Sequence, residues 1–499
     1  MECSRLVLLV LTVCVLAPAV ASNSRASSGA DDIERRIERI INDLVPNTHL
    51  KQQPGPRSSL QERMAHYHTP GVSIAVVNNC RIEWARGFGV KEWGKPEKIG
   101  DRTLFQAGSI SKPMFALAVM RIAQEGRLDL DRDVNDYLTS WKVPPNDSWQ
   151  PRITLRQILT HSAGLTVHGF PGYLRTDRLP TVPQILDGEA PANTAPVRVN
   201  LLPGTRVRYA GGGTTVGQLL LADLLQKPFP QIMRDVLLRP LGMQNSTYEQ
   251  PLPKALHKHA ATAHPWRYRT VNGKWHVYPE MAAAGLWTTP SDLARAGIEL
   301  QFALKGDTNR LLSPEQAERM LDGRNTEDVA LGFMLASEGK SQRFSHGGWD
   351  EGFVALMTMY RDHGIGAVIM INSNEGDPLL QEIERAIARE YNWPDYLTPE
   401  KRPIDLDSAL ADACVGEYTG PRGFEAAINR HGEKLFFEPK GQNPIPLQAD
   451  ADANLFTTVL NLELKLTRDT NGAVTSVTCD QNGRKLELKR KTALTADQR

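Results

Sequence analysis

The chain of 499 residues is too long for one ordinary domain, and its 58 basic and 57 acidic side chains nearly balance. That balance gives no electrostatic footprint for nucleic acid or for an anionic membrane surface. An apolar content of 41% is enough for a real core and argues against a disordered chain. We therefore expect a folded protein that does not bind nucleic acid; the sequence does not set an oligomeric state.

The N-terminus has the pattern of a secretory signal peptide. Arg5 precedes a mainly apolar run at residues 6–17, and the Ala-Val-Ala motif at 19–21 is similar to a cleavage site. The run is shorter than the roughly 20 apolar residues of a spanning helix. The alternatives are a permanent anchor and a lipid attached to Cys14. We expect residues 1–21 to be a signal peptide and the mature protein to be exported, periplasmic or secreted, without an integral membrane segment.

Three cysteines follow that segment: Cys80, Cys414 and Cys479. An odd number without tight spacing rules out a disulfide framework as the organising principle. Cys414 and Cys479 share the C-terminal region, and the sequence does not decide whether they form a disulfide bond. None of the three has surroundings typical of a nucleophile.

The predicted elements begin with an amphipathic helix at 31–45, where isoleucines recur at helical spacing. Two strands at 70–90 then form a hairpin that turns at Asn78–Asn79. The long middle, 104–284, is mostly helical and rich in loops. Within it, residues 264–279 alternate around an Asn-Gly pair, which predicts another hairpin.

Four aromatic residues fall on this second hairpin. We expect them either to pack on one another across its strands or to form a wall of a substrate site: Trp266, Tyr268, Trp275 and Tyr278. Substrate choice is expected to lie in such loops, at 165–200 and 264–280.

Strands return at 342–372, after a capped helix at 288–300, and a last amphipathic helix occupies 378–390. A sheet split in sequence, with helices between its two parts, predicts an α/β (α+β) fold: an antiparallel sheet flanked by helices, with an all-helical insertion. We assign residues 31–398 to this domain.

The pattern changes near residue 405, where apolar residues begin to alternate with period two. Turn pairs at His431–Gly432, Asn471–Gly472 and Asn482–Gly483 separate the alternating runs. Residues 405–491 are therefore predicted to form a separate antiparallel β domain, a small barrel or a sandwich.

The pattern Ser-x-x-Lys occurs twice, at Ser109/Lys112 and at Ser337/Lys340. The second copy lies in a glycine-containing loop between predicted strands and is interpreted as a turn. The first opens a long apolar helix, and residues three apart share a helix face. A serine hydroxyl needs a neighbouring base, and a lysine is a base only in its neutral form, which burial favours. The alternative is that Ser109 caps the helix while Lys112 extends into solvent.

Two further stretches add to this pair. Tyr209 stands just before a run of three glycines and a helix, and His346-Gly347-Gly348 ends a predicted strand. Together and in this order, the three stretches resemble the serine β-lactamase and penicillin-binding-protein superfamily, in its class C-like serine hydrolase branch. The resemblance spans about residues 31–392 and extends to "LRQILTHSAGL", "RPLGMQNSTY" and "AAAGLWTTPSDLA". The C-terminal β domain looks like the accessory domain that often follows such hydrolases.

The resemblance implies an acyl-enzyme mechanism that needs no cofactor. Ser109 would be the acylated nucleophile, and Lys112 and Tyr209 would share the proton transfer. The backbone N–H groups of Ser109 and Trp349 would form the oxyanion hole.

The remaining motif residues would contact the substrate. Gly347 and Gly348 would let a substrate strand lie alongside, and His346 takes the place of a lysine found in β-lactamases of this branch. Gly211 takes the place of an asparagine that grips a substrate amide. Both departures weaken the case for a true β-lactamase. The resemblance implies a small-molecule or peptide substrate: a D-amino-acid peptide or amide, a small ester, or a β-lactam that is turned over only weakly. The alternative from another class is a catalytically slow homologue that acts as a binding or scaffolding protein.

Two other histidine motifs could suggest a functional site, but each has a structural explanation. His257, His259 and His264 could suggest a metal site, but their spacing fits neither a helical pair nor a zinc finger. His161 and Ser162 are adjacent, which does not suit a Ser–His pair, so we interpret this stretch as a structural loop.

Overall fold

A computed structural model describes residues 29–44, 49–50, 57–308, 310–323, 328–338, 341–396, 400–405, 407–457, 462–470, 472–481 and 484–491. The predicted signal peptide, 1–21, lies outside the described residues, and so does Lys340 of the second Ser-x-x-Lys copy. No helix in the described ranges is long and apolar enough to cross a membrane.

Most of the helices lie in the first three quarters of the chain, and the last quarter consists mainly of strands. The α-helices are α1 (Gly29–Ile41), α2 (Leu60–His66), α3 (Ser111–Gln124), α4 (Leu155–Leu159), α5 (Val182–Asp187), α6 (Gly211–Leu225), α7 (Phe229–Met233), α8 (Met281–Ala284), α9 (Pro290–Lys305), α10 (Pro314–Met320), α11 (Asp377–Glu390) and α12 (Ser408–Cys414). The strands are β1 (His49–Leu50), β2 (Gly71–Asn78), β3 (Arg81–Gly89), β4 (Phe105–Gln106), β5 (Trp287–Thr288), β6 (Met334–Glu338), β7 (Ser341–Asp350), β8 (Phe353–Tyr360), β9 (Gly366–Ile371), β10 (Glu400–Lys401), β11 (Pro403–Ile404), β12 (Gly416–Thr419), β13 (Glu425–His431), β14 (Lys434–Pro439), β15 (Ile445–Asp450), β16 (Leu455–Thr457), β17 (Leu462–Arg468), β18 (Val474–Gln481) and β19 (Arg484–Arg490).

The main sheet contains six antiparallel strands in the order β3-β2-β9-β8-β7-β6. Strands from the two ends of the domain meet where β2 pairs with β9, Val72 opposite Ile371. The predicted antiparallel sheet with strands split in sequence is therefore confirmed. The first hairpin turns one residue later than predicted, because Asn79 and Cys80 both have a positive φ, 52° and 53°.

Alternation along the strands gives the sheet two apolar faces. The outer face carries α1 and α11, and Ile37, Val76 and Ile383 belong to its core. The inner face carries α9 and continues into the core of the helical insertion, which includes Phe115 and Met357. The predicted arrangement of flanking helices and an all-helical insertion is confirmed.

Helices α3 and α6 touch inside the insertion through the Phe115 side chain. A methyl group added to Gly217 of α6 would lie 2.7 Å from the Phe115 ring of α3, so only glycine allows this approach. Met114 to Met120 of α3 are buried without a break. The contact holds α6, which follows Tyr209, against α3, which follows Ser109.

The C-terminal strands close into a barrel of eight strands, β12 to β19. The closure is made by β15 and β16, where Gln448 pairs with Phe456 and Ala449 with Leu455. The structure thus decides for a barrel over a sandwich. Cys414 and Cys479 both lie in its apolar core as free thiols, so the possible bond between them is not formed.

The hairpin predicted at 264–279 is wrong. The tight turn forms, with Lys274 N–H donating to Val271 O at 2.8 Å, but its two arms do not pair. Val277 instead pairs with Tyr173 of another loop. The alternating sequence pattern gave a wrong prediction because each aromatic side chain packs on a different partner.

The four aromatic residues of that stretch therefore neither pack on one another nor form one wall. Tyr268 stacks on Trp93 with ring centroids 3.8 Å apart, and Trp275 packs edge-on against Trp287 at 5.3 Å. Tyr278 is fully buried, whereas Trp266 is exposed.

Candidate active site

The turn that carries Ser109 is anchored between β4 and α3. Residues Gly108–Ile110 form one turn of 3₁₀ helix, and Gly108 has φ +51°, a conformation that favours glycine. Leu286 holds the turn on both sides: its carbonyl accepts the Ala107 N–H at 2.9 Å, and its N–H donates to Ser111 Oγ at 3.1 Å. The serine is thus presented, half-buried, by a fixed backbone.

Lys112 does not reach solvent. Its side chain is only 4% exposed, and Nζ donates to Ser109 Oγ and to the Ala283 carbonyl, each at 2.9 Å. Ala283 belongs to α8, so the lysine spans from the nucleophile turn to a second element. The structure overturns the alternative of a capping serine with a solvent-exposed lysine.

Tyr209 lies next to Lys112 and forms a second wall of the site, beside the turn that carries Ser109. The Lys112 ammonium lies 4.9 Å from the centroid of the Tyr209 ring. Three imidazoles surround this phenol, with ring centroids at 4.2 Å for His161, 4.9 Å for His168 and 6.1 Å for His346. The structure therefore brings together Ser109, Lys112, Tyr209 and His346, as the sequence motifs predicted.

His161 also packs against Tyr209, a contact that the sequence analysis did not predict. It is buried with φ +57°, and its Nδ1 accepts the N–H of Ala210, next to Tyr209, at 3.2 Å. Burial lowers the pKa of His161 well below its usual value, and the nearby Lys112 charge lowers it further. The ring is therefore neutral and able to accept this bond. No spacing rule points to it, because the contact joins two loops 48 residues apart in the chain.

Strand β7 forms the third wall. A methyl group added to Gly348 would lie 2.0 Å from the Ala107 carbonyl, and one added to Gly108 would lie 2.5 Å from the Trp349 nitrogen. The strand and the nucleophile turn thus touch backbone to backbone. This contact places the Trp349 nitrogen beside Gly108, the residue before Ser109.

One edge of β7 is open beside the site. Strand β6 pairs with β7 only as far as Met334 opposite Ser345. Gly347 is exposed, and a methyl group added there would meet only the Ala355 carbonyl, at 3.9 Å. The predicted role of Gly347, room for a substrate strand, has the space it needs.

The glycines after Tyr209 serve the fold. The N–H of Gly211 donates to His168 O and that of Gly212 to Val167 O, each at 3.0 Å. A methyl group on Gly212 would lie 2.6 Å from the Thr166 carbonyl. Gly211, predicted to face substrate in place of an asparagine, therefore has its N–H engaged by this loop, which runs across the start of α6.

Two buried carboxyl groups lie behind the site, and sequence reasoning missed both. Burial raises the pKa of Asp350 well above its usual value, against the opposing effect of Lys112, and raises the pKa of Glu280 to about 7. Asp350 is 2% exposed and Glu280 fully buried. Within the described residues Lys112 makes no ion pair.

The remaining histidine motifs have structural surroundings. The buried His264 ring has Nδ1 2.9 Å from Asn372 O and accepts the Trp93 N–H at Nε2. His257 Nε2 lies 2.9 Å from Leu252 O. Over the described ranges, no group of three His, Cys, Asp or Glu side chains is arranged to hold a metal ion.

Comparison with known proteins identifies the class to which this fold and site belong. The Beta-lactamase family model matches residues 57–392, about two thirds of the chain, so the protein is a member of the Beta-lactamase family. This match covers the nucleophile turn, Tyr209 and β7.

Particular relatives are distant. Penicillin-binding protein 4* of Bacillus subtilis (strain 168) is 22% identical over 444 residues, covering 82% of this chain and 92% of that protein. Protein flp of Staphylococcus aureus (strain MW2) is 24% identical over 325 residues, which are 62% of this chain and only 60% of that protein's length.

Solved structures share the fold. The octameric penicillin-binding protein homologue from Pyrococcus abyssi superposes with a TM-score of 0.56 at 20% identity, covering 86% of this chain and 98% of the other. The D-amino acid amidase from Ochrobactrum anthropi SV3 gives a TM-score of 0.55 at 18% identity over 72% of this chain and 99% of the other.

Proposed function

We propose that the protein is a serine hydrolase that cleaves an amide or ester through an acyl-enzyme on Ser109. The observation that carries the proposal is the 2.9 Å contact between Lys112 Nζ and Ser109 Oγ inside a buried site. A scaffold has no need of a buried lysine, whose desolvation costs folding free energy. Nucleophile and base within hydrogen-bond reach are the mark of covalent catalysis.

The reaction proceeds in two steps. Ser109 Oγ attacks the substrate carbonyl, and its proton passes to the Lys112–Tyr209 pair. The oxyanion is held by the N–H groups of Ser109 and Trp349, and the C–N or C–O bond breaks as the leaving group takes up a proton. Water then attacks the acyl-serine, giving the acid and restoring the Ser109 hydroxyl.

We propose D-amino-acid amides and peptides as the first substrates to test, with small esters and β-lactams after them. The names of two similar proteins support this order: one is a D-amino acid amidase and the other a penicillin-binding protein. His346 and Gly211, in place of the lysine and asparagine of β-lactamases, also count against a β-lactam as the main substrate. The competing function, binding without turnover, would require the Ser109–Lys112 contact to have no chemical consequence.

The test compares wild type with Ser109→Ala. Each is incubated with D-phenylalanine amide, a p-nitrophenyl ester and a penicillin, while product release and intact protein mass are followed. We expect turnover of at least one substrate, or a covalent adduct, in wild type and neither in Ser109→Ala. Ser337→Ala, in the second Ser-x-x-Lys copy, is the matched control and should behave as wild type. Turnover that survives in Ser109→Ala would refute the acyl-enzyme, and a wild type inert to all three would favour the binding function.

A further inference from the structure

The side chain of Trp349 is unusually exposed for its place in the molecule. Its amide faces the nucleophile turn, yet its indole is 54% exposed. Trp93 and Trp266, about as exposed, each have a partner: Trp93 stacks on Tyr268, and the Arg267 guanidinium lies 5.3 Å from the Trp266 ring centroid. The Trp349 indole thus offers exposed apolar surface on a residue whose backbone meets the Ser109 turn.

The direction of this indole follows from the strand register. Trp349 pairs with Val354, which belongs to the core of the outer face, whereas His346 pairs with Met357 of the inner face. Opposite residues in an antiparallel pair share a face. Trp349 therefore lies on the outer face with the exposed Gly347, two residues before it.

The inner face at this point is already filled. His346 and Asp350 are buried there, and Gly348 meets the Ala107 carbonyl. A substrate whose carbonyl oxygen lies between the amides of Ser109 and Trp349 has its acyl residue at the open edge of β7. On the outer face, the exposed Gly347 leaves open space at that edge, and the exposed Trp349 indole lies on the same face.

We propose that Trp349 determines specificity through its side chain, selecting substrates whose acyl residue carries an aromatic or large apolar group. This inference rests on the proposed hydrolase function and narrows its substrate class. One residue then has two separable roles: its N–H binds the oxyanion, and its indole packs on the substrate side chain. The separation is testable, because replacing the side chain leaves the amide in place.

The kinetic test measures kcat/KM for D-phenylalanine p-nitroanilide and D-alanine p-nitroanilide. For Trp349→Ala we expect about a tenfold or larger loss on the phenylalanine substrate relative to the alanine substrate, in the range for removing an apolar pocket contact. Trp349→Phe should keep the preference, since an aromatic ring remains. Trp149→Ala, which removes an exposed tryptophan of the helical insertion, is the matched control and should leave the ratio unchanged.

A binding test decides the same point without turnover. In the Ser109→Ala protein, calorimetry should show tighter binding of D-phenylalanine amide than of D-alanine amide, and adding Trp349→Ala should remove the difference. Equal affinities for the two amides in Ser109→Ala, undetectable binding of the phenylalanine amide, or a preference that survives Trp349→Ala would each overturn the inference. The proposed hydrolase fails differently, through a wild type without Ser109-dependent turnover or adduct.

Discussion

Lys112 illustrates how a reactive side chain depends on its immediate surroundings. Its two hydrogen bonds, to Ser109 Oγ and to the Ala283 carbonyl, use two of the three donors of an ammonium. Its carboxyl neighbours Asp350 and Glu280 have raised pKa values because they are buried. The lysine is thus held in place by a serine hydroxyl and a backbone carbonyl.

Replacing this lysine tests its role directly. We expect Lys112→Met to lower kcat/KM by about 10²–10⁴, the usual contribution of a positioned acid or base. Lys112→Arg should be nearly as impaired, because a guanidinium does not give up its proton. Steady-state kinetics on the best substrate gives the loss, and the melting temperature shows whether the fold is kept. The exposed Lys227→Met is the control, and a loss of less than tenfold in Lys112→Met would contradict the role.

Glu280 gives a prediction for stability against pH. Its pKa is about 7 in the folded protein, against 4.5 for an unperturbed glutamate, so between these values the folded state holds a proton that the unfolded chain releases. This contribution is complete below pH 4.5 and is lost as the pH rises through 7. At about 1.4 kcal/mol for each pKa unit, the loss reaches about 3 kcal/mol.

A Glu280→Gln variant cannot titrate and should escape that loss. Its melting temperature relative to wild type should therefore be higher at pH 8 than at pH 5. Calorimetry at the two pH values measures the difference, with the exposed Glu249→Gln as control. The same increment at both pH values would show that Glu280 does not titrate in this range.

At the scale of elements, the site depends on how closely β7 approaches the start of α3. Neither element could form the proposed oxyanion hole alone, since each would supply one of its two amides. The approach is possible because two glycines, Gly108 and Gly348, lack side chains where the backbones meet. Tyr209, which stands two residues before α6, forms another wall of the site.

Two adjacent glycines of β7 provide a matched pair of variants. In Gly348→Ala the new methyl group would lie 2.0 Å from a backbone oxygen, whereas in Gly347→Ala the nearest atom is 3.9 Å away. We expect Gly348→Ala to lower stability by about 1–3 kcal/mol, as in other overpacked sites, and to impair activity by moving the Ser109 turn. Gly347→Ala should keep the wild-type melting temperature. Equal melting temperatures for the two variants would show that the contact is looser than described.

At the scale of the whole molecule, the barrel has a core of its own. The buried apolar residues of that core all lie between Ala411 and Leu488, and the strands close on themselves through β15 and β16. A closed barrel has no open strand edge and buries its apolar side chains inside. These features are those of an independent folding unit.

We therefore expect residues 402–491 to fold when expressed alone. The fragment should show a β-type circular dichroism spectrum and a cooperative thermal transition. Leu464→Ala, which removes a fully buried side chain, should lower that transition, as large-to-small core substitutions do. A fragment without a cooperative transition would mean that the barrel needs the rest of the chain.

Local patterns in the sequence determined much of this protein. Apolar patterns located α1, α11 and the strands β2, β3, β7, β8 and β9 of the main sheet, because one-sided burial leaves a repeat of 3.6 or 2 in the chain. The Ser-x-x-Lys spacing placed Ser109 and Lys112 on one helix face, since that relation is also local. The failure at 264–279 has the same cause, because an alternating pattern does not say whether the two arms pair with each other.

Only the tertiary structure decided what depends on contacts between distant segments. Three features of the site bring together residues that are far apart in the chain. They are the packing of His161 on Tyr209, the burial of Asp350 and Glu280 behind Lys112, and the open strand edge beside Trp349. A single strand pairing, β15 with β16, makes the C-terminal domain a barrel and not a sandwich. Burial and strand pairing are set by where distant backbones meet, so no local spacing in the sequence records them.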